Sequence, residues 1–158
     1  MDAISFKPIA ISDAEILILG SMPGKVSLAQ QEYYAHKQNA FWRILFNLFN
    51  ENEIFNYDEK IRFLHKNKIA LWDSLAYCER KSSLDSDIKH EIPNDFDAFL
   101  ATFPNIKTIA FNGKAAERYY KKHIGFSDKY RYVELPSTSP AHASMSFEGK
   151  LDKWRVIL

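Results

Sequence analysis

Four short apolar runs, each ending in a polar or Gly/Pro signal, constrain the fold of this chain more than any other feature. The runs extend from Ala14 to Leu19, Lys68 to Trp72, Ile106 to Phe111 and Tyr130 to Leu135. The dipeptides that end them are Gly-Ser, Asp-Ser, Asn-Gly and Pro-Ser. Apolar runs of this length, bounded by turn signals, predict buried strands.

Helical patterns lie between and after these strands. The first begins after Asn39, and the others extend from Tyr57 to Asn67, Asp95 to Phe103, Lys114 to His123 and Phe147 to Ile157. Strands that alternate with helices predict a parallel sheet covered by helices on both faces. Functional groups then belong at the carboxyl ends of the strands, where the four polar signals lie. The order of the strands in the sheet does not follow from periodicity.

Length, charge and cysteine content exclude several classes of protein. The 158 residues fit one domain, and a net charge of +1 gives no global attraction to nucleic acid, although a local basic face is compatible with it. The single cysteine, Cys78, excludes an internal disulfide and indicates a reducing compartment. No apolar segment approaches the length of a membrane span, and the N-terminus lacks the features of a signal peptide. We therefore expect a cytoplasmic protein.

Two polar loops that contain proline leave the ends of predicted strands. The first runs from Gly20 to Trp42 and contains an aromatic pair, a histidine and an asparagine. The second is the segment from Leu135 to Ala141, with the sequence LPSTSPA. Two such loops at the carboxyl edge of an open α/β sheet predict a ligand crevice. Aromatic residues make up 15% of the chain, and flat rings suit stacking on a base as well as core packing.

The predicted strand ends and loops contain five segments: GSMPG at 20–24, YYAHKQNAFW at 33–42, ALWDSL at 70–75, FNG at 111–113 and LPSTSPA at 135–141. Together and in this order they resemble the uracil-DNA glycosylase superfamily, most closely its hypoxanthine-DNA (deoxyinosine) glycosylase branch. The resemblance implies a three-layer α/β/α sandwich with a central four-stranded parallel sheet, forming a single glycosylase domain over residues 1–158. It also implies a monofunctional DNA glycosylase of base excision repair. Such an enzyme removes deaminated bases, hypoxanthine preferred, leaves an abasic site and needs no cofactor.

The third position of the first motif departs from much of the superfamily. Many members carry Asp, Asn or Glu there to order the attacking water, whereas this chain has Met22, as the deoxyinosine branch does. The resemblance assigns catalysis to Asn39 instead, in a segment that usually has Pro where this chain has Lys37. A carboxamide can orient water but cannot take its proton at neutral pH, so Asn39 would act by positioning and electrostatics. The alternative is that Asn39 only caps the following helix.

The resemblance implies six residues around a flipped base. They are Gly20, Ser21 and Met22, whose backbone would line the pocket, Tyr34, which would stack on the base, and Asp73 and Asn112, which would read or brace its edge. Each of the last three has a structural alternative. Tyr34 would pack in the core, Asp73 would cap a helix, and Asn112 would be a turn residue in an Asn-Gly pair.

The second loop is expected to contact the DNA backbone. Its residues are Ser137, Thr138, Ser139, Pro140, Ala141 and His142, joined by His36 of the first loop. Hydroxyl and backbone N–H groups suit phosphate oxygens, and Ala141-His142 could enter the duplex as a wedge. Composition alone describes the same segment as a surface loop. The basic residues Lys121-Lys122-His123 would flank the DNA or form an ordinary solvated face.

Several functions are compatible with these patterns. The HKQNAFW segment also resembles mismatch-specific uracil enzymes, so uracil release is the second enzymatic hypothesis. A catalytically silent binder of damaged DNA and a small-molecule-binding α/β protein are hypotheses of other classes. No cluster of His, Cys, Asp and Glu has metal-ligand spacing, so we predict no metal. The expected partner is DNA that contains deaminated bases, bound by a monomer without any membrane.

Overall fold

The computed structural model describes residues 1–158 as seven strands and six helices. The strands are β1 (Asp2–Ile4), β2 (Ile16–Gly20), β3 (Ile69–Asp73), β4 (Leu75–Glu79), β5 (Lys89–Pro93), β6 (Thr108–Asn112) and β7 (Arg131–Leu135). The helices are α1 (Lys25–Gln30), α2 (Phe41–Leu48), α3 (Tyr57–Lys66), α4 (Phe96–Thr102), α5 (Lys114–His123) and α6 (Phe147–Trp154). Two 3₁₀ turns lie at Asp85–Asp87 and Arg155–Ile157. No helix combines the length and the apolar character needed to cross a membrane.

Four parallel strands form the central sheet in the order β3-β2-β6-β7. The prediction of a four-stranded parallel sheet is therefore confirmed, and each strand lies within two residues of its predicted bounds. The register pairs Gly20 with Asp73 and Asn112 with Leu135. The carboxyl ends of all four strands consequently lie along one edge of the sheet, which brings the four polar signals of the sequence together.

Helices cover both faces of the central sheet, as a three-layer sandwich requires. On β2, Ile18 packs into a core with residues of α2, α3 and α6. Its neighbours Leu17 and Leu19 pack on the opposite face with residues of α4 and α5. Because successive side chains of a strand point to opposite faces, a continuous apolar run contributes to two cores at once.

A small antiparallel sheet, in the order β1-β4-β5, was missed by the sequence analysis. Its strands are three to five residues long, β5 has no buried residue, and the apolar stretch of β4 follows β3 so closely that it does not stand out as a separate strand. Ser74 alone separates β3 from β4. The chain therefore crosses from the central sheet into the small sheet at the carboxyl edge and places residues 80–88 beside that edge.

Candidate active site

A cavity of about 1070 Å³ opens at the carboxyl edge of the central sheet. Every residue that the sequence predicted for catalysis, base binding or DNA contact lines this cavity. The loop after β2, the loop before α2, the ends of β3 and β6, and the loop after β7 all contribute to its walls. The structure thus brings the five motif segments together, although contact with the cavity does not by itself assign their roles.

Asn39 lies at the N-terminus of α2, where its side-chain oxygen accepts a hydrogen bond from the Phe41 N–H at 3.0 Å. Helix α2 begins at Phe41 with Ala40 as its N-cap residue, so Asn39 lies one residue before the cap position, and its bond to the Phe41 N–H forms an Asx turn at the helix start. Its Nδ2 group makes no hydrogen bond within the protein, and the residue is only partly buried. A carboxamide oxygen carries two lone pairs, so this turn leaves both the NH₂ group and one acceptor position for a ligand.

The adjacent rings Tyr33 and Tyr34 point to different places. Tyr33 is in the core, and its hydroxyl donates to the Lys7 carbonyl at 2.9 Å. Tyr34 adopts a left-handed backbone conformation, with a φ of 54°, and its ring stacks on Phe41 with centroids 4.0 Å apart. Its buried hydroxyl has no hydrogen-bond partner. One ring face of Tyr34 is therefore covered by the core, while the residue as a whole still lines the cavity.

Asp73, the last residue of β3, places a carboxyl group in the wall of the cavity with only 3% of the residue exposed. Burial raises the pKa of the Asp73 carboxyl to about 7, and the nearby Arg80 cation opposes the shift only in part. Its Oδ2 atom has no hydrogen-bond partner. Asp73 caps no helix, so the capping alternative is wrong; the cap of α4 is Asp95, which accepts from the Ala98 N–H.

Gly20 gives two polar groups of the site their present positions. A Cβ atom added there would lie 2.6 Å from Asp73 Oδ1 and 2.8 Å from the Tyr34 hydroxyl oxygen. Both distances are too short for a contact, so any other residue at this position would force the Asp73 carboxyl and the Tyr34 hydroxyl to move. Next to it, Met22 is buried and forms an apolar part of the cavity wall, which cannot accept a strong hydrogen bond.

Asn112 uses both ends of its amide to hold the second loop. Its Oδ1 accepts from the Thr138 N–H and its Nδ2 donates to Thr138 Oγ1, each at 2.9 Å. Thr138 is 1% exposed, and its carbonyl accepts from the Ala40 N–H at 3.0 Å. A phosphate contact from the Thr138 hydroxyl does not fit this burial, so that expectation is corrected. Thr138 instead ties the second loop to the end of β6 and to the start of α2.

The exposed part of the second loop is held by short local hydrogen bonds. The Ser139 N–H donates to Ser137 Oγ at 3.1 Å, and the Ala141 N–H donates to Ser139 Oγ at 3.2 Å. Lys150, on α6, donates to the Ser139 carbonyl at 3.3 Å. Pro140 and Ala141 are exposed. The loop is therefore a fixed surface at the mouth of the cavity and offers Pro140 and Ala141 to a partner.

The two histidines of the site have different surroundings. His36 is exposed, and its Nδ1 accepts from the Gln38 N–H at 3.1 Å within a local turn. His142 is half-buried, and its Nε2 atom is buried without a hydrogen-bond partner. Both residues line the cavity. No group of three or more His, Cys, Asp or Glu side chains is arranged to hold a metal ion.

The segment Ser82–Ser86 forms a cavity wall that the sequence analysis missed. Ser83 Oγ accepts from the Lys25 N–H at 2.8 Å, and Asp85 Oδ1 accepts from Ser21 Oγ at 2.6 Å. Behind this wall, Arg80 is 3% exposed and donates from Nη2 to the Pro23 carbonyl. These residues follow β4, and because the small sheet was not predicted, nothing in the sequence placed them near the first motif.

Exposed cations surround the mouth of the cavity. The exposed cations that line it are Lys25, Lys114, Arg118 and Lys153, and the exposed acids that line it are Asp85 and Glu134.

The basic run predicted from the sequence does not line the cavity. Its residues Lys122 and His123 both bond to Glu91, at 2.7 and 3.0 Å. The local basic face is thus formed by the first half of α5 and by separate lysines, not by the run at the end of that helix.

A parallel α/β/α sandwich with these motif segments around one cavity belongs to a recognised class. The family model of the Uracil DNA glycosylase superfamily matches residues 6–157, and this chain belongs to that superfamily.

Two relatives carry the name hypoxanthine DNA glycosylase. The protein from Methanosarcina barkeri is 40% identical over 115 residues, covering 72% of this chain and 73% of the relative. The protein from Methanosarcina acetivorans is 34% identical over 153 residues, covering 96% of this chain and 95% of the relative. A solution NMR structure from Methanosarcina acetivorans, described as a candidate uracil DNA glycosylase, superposes with a TM-score of 0.85. It is 33% identical and covers 99% of this chain and 96% of that one.

Proposed function

We propose that this chain is a monofunctional DNA glycosylase of base excision repair that removes hypoxanthine from DNA and leaves an abasic site. The observation that carries the proposal is the meeting of Asn39, Tyr34 and Asp73 in one cavity at the carboxyl edge of the sheet. The names of the two relatives at 34% and 40% identity support hypoxanthine as the base. Membership of the superfamily supports DNA as the substrate.

The reaction requires that the target nucleotide leaves the duplex and enters the cavity. Extrusion costs a few kcal/mol, which contacts inside the pocket must offset. Tyr34 stacks on the base through the ring face that Phe41 does not cover, an interaction worth about 1–3 kcal/mol. The backbone of Gly20, Ser21 and Met22 lines the same pocket. This arrangement holds the base between a ring and a rigid strand end.

Asn39 then acts on the sugar and the water. Cleavage of the bond from C1′ to the base nitrogen builds positive charge on the sugar, and water attacks C1′. The hydrogen bond from the Phe41 N–H fixes the Asn39 carboxamide at the start of α2, so the group is held in place before the substrate arrives. Because Met22 cannot order water, Asn39 is the polar group that performs this positioning.

The substrate is tested with labelled duplexes that contain a single inosine, uracil or adenine, followed by alkali to cut abasic sites. The proposal expects strand breaks at inosine that need alkali, because a monofunctional enzyme releases the base without cutting the backbone. Breaks at uracil alone would favour a uracil enzyme. Breaks without alkali would indicate lyase activity. Salt-sensitive binding without breaks would indicate a silent DNA binder.

The exposed cations at the mouth are proposed to hold the DNA backbone. A double substitution, Lys114→Ala with Arg118→Ala, is expected to weaken binding to inosine and undamaged duplexes by the same factor. The slope of log affinity against log salt should fall by about 1 to 2, since each phosphate contact contributes close to 1. Fluorescence anisotropy at several salt concentrations measures both quantities.

Lys129→Ala serves as the matched control, because Lys129 is an exposed cation that does not line the cavity. It should leave the slope unchanged. A double variant that keeps the wild-type slope, or that loses affinity only for inosine duplexes, would show that these cations do not bind phosphate.

A further inference from the structure

Asp73 is the one buried acid of the active site, and its carboxyl group makes no hydrogen bond within the protein. Its backbone carbonyl accepts from Asn94 Nδ2 at 2.7 Å, so the residue is fixed by the main chain. Its Oδ2 atom is buried and has no partner in the protein. Buried polar groups are nearly always paired, and an exception at the wall of a substrate cavity indicates a group that a ligand completes.

We propose that Asp73 enters the reaction as a neutral carboxylic acid and donates its proton to a ring nitrogen of the departing hypoxanthine, N7 or N3. This inference rests on the proposed function and adds a catalytic role for a residue otherwise expected only to read the base. A carboxyl group beside the base pocket acts as a general acid if it still holds a proton at the pH of the reaction.

The groups that face Asp73 from every side favour retention of this proton. Burial raises the pKa of the Asp73 carboxyl to about 7. Arg80, after β4, lowers this pKa, while Asp85 of the 3₁₀ turn raises it. From the loop before α2, Tyr33 and Tyr34 present neutral phenols, because burial raises the pKa of both hydroxyls. A single buried cation therefore opposes a large cost of ionisation.

The proton balance of the step is complete without any added reactant. As the bond from C1′ to N9 breaks, its electron pair goes to the base, and the Asp73 proton moves to N7 or N3. Hypoxanthine therefore leaves as a neutral tautomer rather than as an anion. Water adds to C1′ and releases one proton to solvent, and the Asp73 carboxylate takes up a proton from solvent before the next turnover.

The test is the pH dependence of single-turnover release of hypoxanthine, with enzyme in excess so that product release does not limit the rate. The wild-type rate should fall tenfold per pH unit above the pKa of Asp73. Asp73→Asn keeps the shape of the side chain but cannot transfer the proton. Its rate at pH 6 should be about 10²-fold lower and should not vary between pH 6 and 8. Asp128→Asn, an exposed acid outside the cavity, should retain the wild-type rate and profile.

Substrates that lack one ring nitrogen identify the acceptor. Of 7-deaza- and 3-deaza-deoxyinosine, the analogue that lacks the accepting nitrogen should be cleaved slowly by wild type. On that analogue alone, Asp73→Asn should cause little further loss of rate. Equal sensitivity of both analogues to Asp73→Asn would overturn the proton transfer. So would a folded Asp73→Asn variant, checked by thermal unfolding, with the wild-type rate or pH profile. If wild type itself releases no base from inosine DNA at any pH, the proposed function fails, and this inference fails with it.

Discussion

Replacing Asn39 with alanine is expected to slow the release of hypoxanthine from an inosine duplex by about 10²- to 10³-fold. Losses of this size follow the removal of one fixed hydrogen-bonding group from the position where charge develops. The same substitution removes the hydrogen bond to the Phe41 N–H and should lower the free energy of unfolding by about 1 kcal/mol. Single-turnover base release and chemical denaturation measure the two effects separately.

A serine at this position distinguishes catalysis from support of the helix start. A serine hydroxyl accepts a hydrogen bond from the second following N–H as asparagine does, though more weakly, so Asn39→Ser should keep most of the wild-type stability. It lacks the carboxamide and should be about as slow as Asn39→Ala. If Asn39→Ser instead releases hypoxanthine at the wild-type rate, Asn39 serves the site only through the start of α2, and its catalytic assignment is wrong.

Replacing Asp73 with asparagine is expected to make the protein more stable at pH 8 and to leave its stability near pH 4 almost unchanged. The ordinary pKa of this carboxyl is 3.8, and burial raises the pKa to about 7 in the folded protein. Between these values the folded state binds more protons than the unfolded state, so the free energy of unfolding falls as the pH rises. Above about pH 7 the full loss of unfolding free energy is present. A pKa shift of this size corresponds to a loss of up to about 4 kcal/mol.

The measurement is the difference in unfolding free energy between wild type and Asp73→Asn, recorded from pH 4 to pH 8. Taking the difference removes groups that both proteins share. Glu91 is one of these, because its bond to Lys122 lowers the pKa of its carboxyl to about 2 and gives the opposite pH dependence. A difference that stays constant across this range would mean that Asp73 ionises as easily in the folded protein as in the unfolded chain.

The central sheet and the convergence of its motifs followed from the sequence because each strand carries its own local signal. A continuous apolar run such as Ile16–Gly20 identifies a strand buried on both faces, and parallel pairing then brings the residues at the strand ends together. Gly20 and Asp73 are direct neighbours because β2 and β3 are also adjacent in the sheet. The grouping of the strand-end residues along one edge was thus predictable without the strand order, whereas their roles rest on the resemblance to the glycosylase family.

What the sequence did not reveal depends on contacts between distant segments. The wall Ser82–Ser86, with Arg80 behind it, reaches the cavity through the small antiparallel sheet, whose strands are short and whose strand β5 has no buried residue. The hydrogen bonds between Asn112 and Thr138 could not be predicted from the sequence either, since an Asn-Gly pair also suits an ordinary turn. In such cases the local sequence fits two structures, and only packing decides between them.

The basic face shows how helix direction decides which charges meet a ligand. Helix α5 starts at the carboxyl edge, so Lys114 and Arg118, which are four residues apart on one face, line the cavity. Lys122 lies roughly 12 Å from Lys114 along the helix axis and pairs with Glu91 instead. The basic run at the end of this helix, which the sequence left open between a DNA flank and a solvated face, does not line the cavity.

The most direct test of the account is the identification of what the enzyme releases from a duplex with one inosine. Mass spectrometry of the reaction, before any alkali, should find free hypoxanthine and an uncut strand lighter by the mass of hypoxanthine less one water, in equal amounts. The same duplex with adenine in place of inosine should remain intact. Release of no base by folded wild-type protein, or a strand already cleaved at the inosine, would contradict a monofunctional hypoxanthine DNA glycosylase.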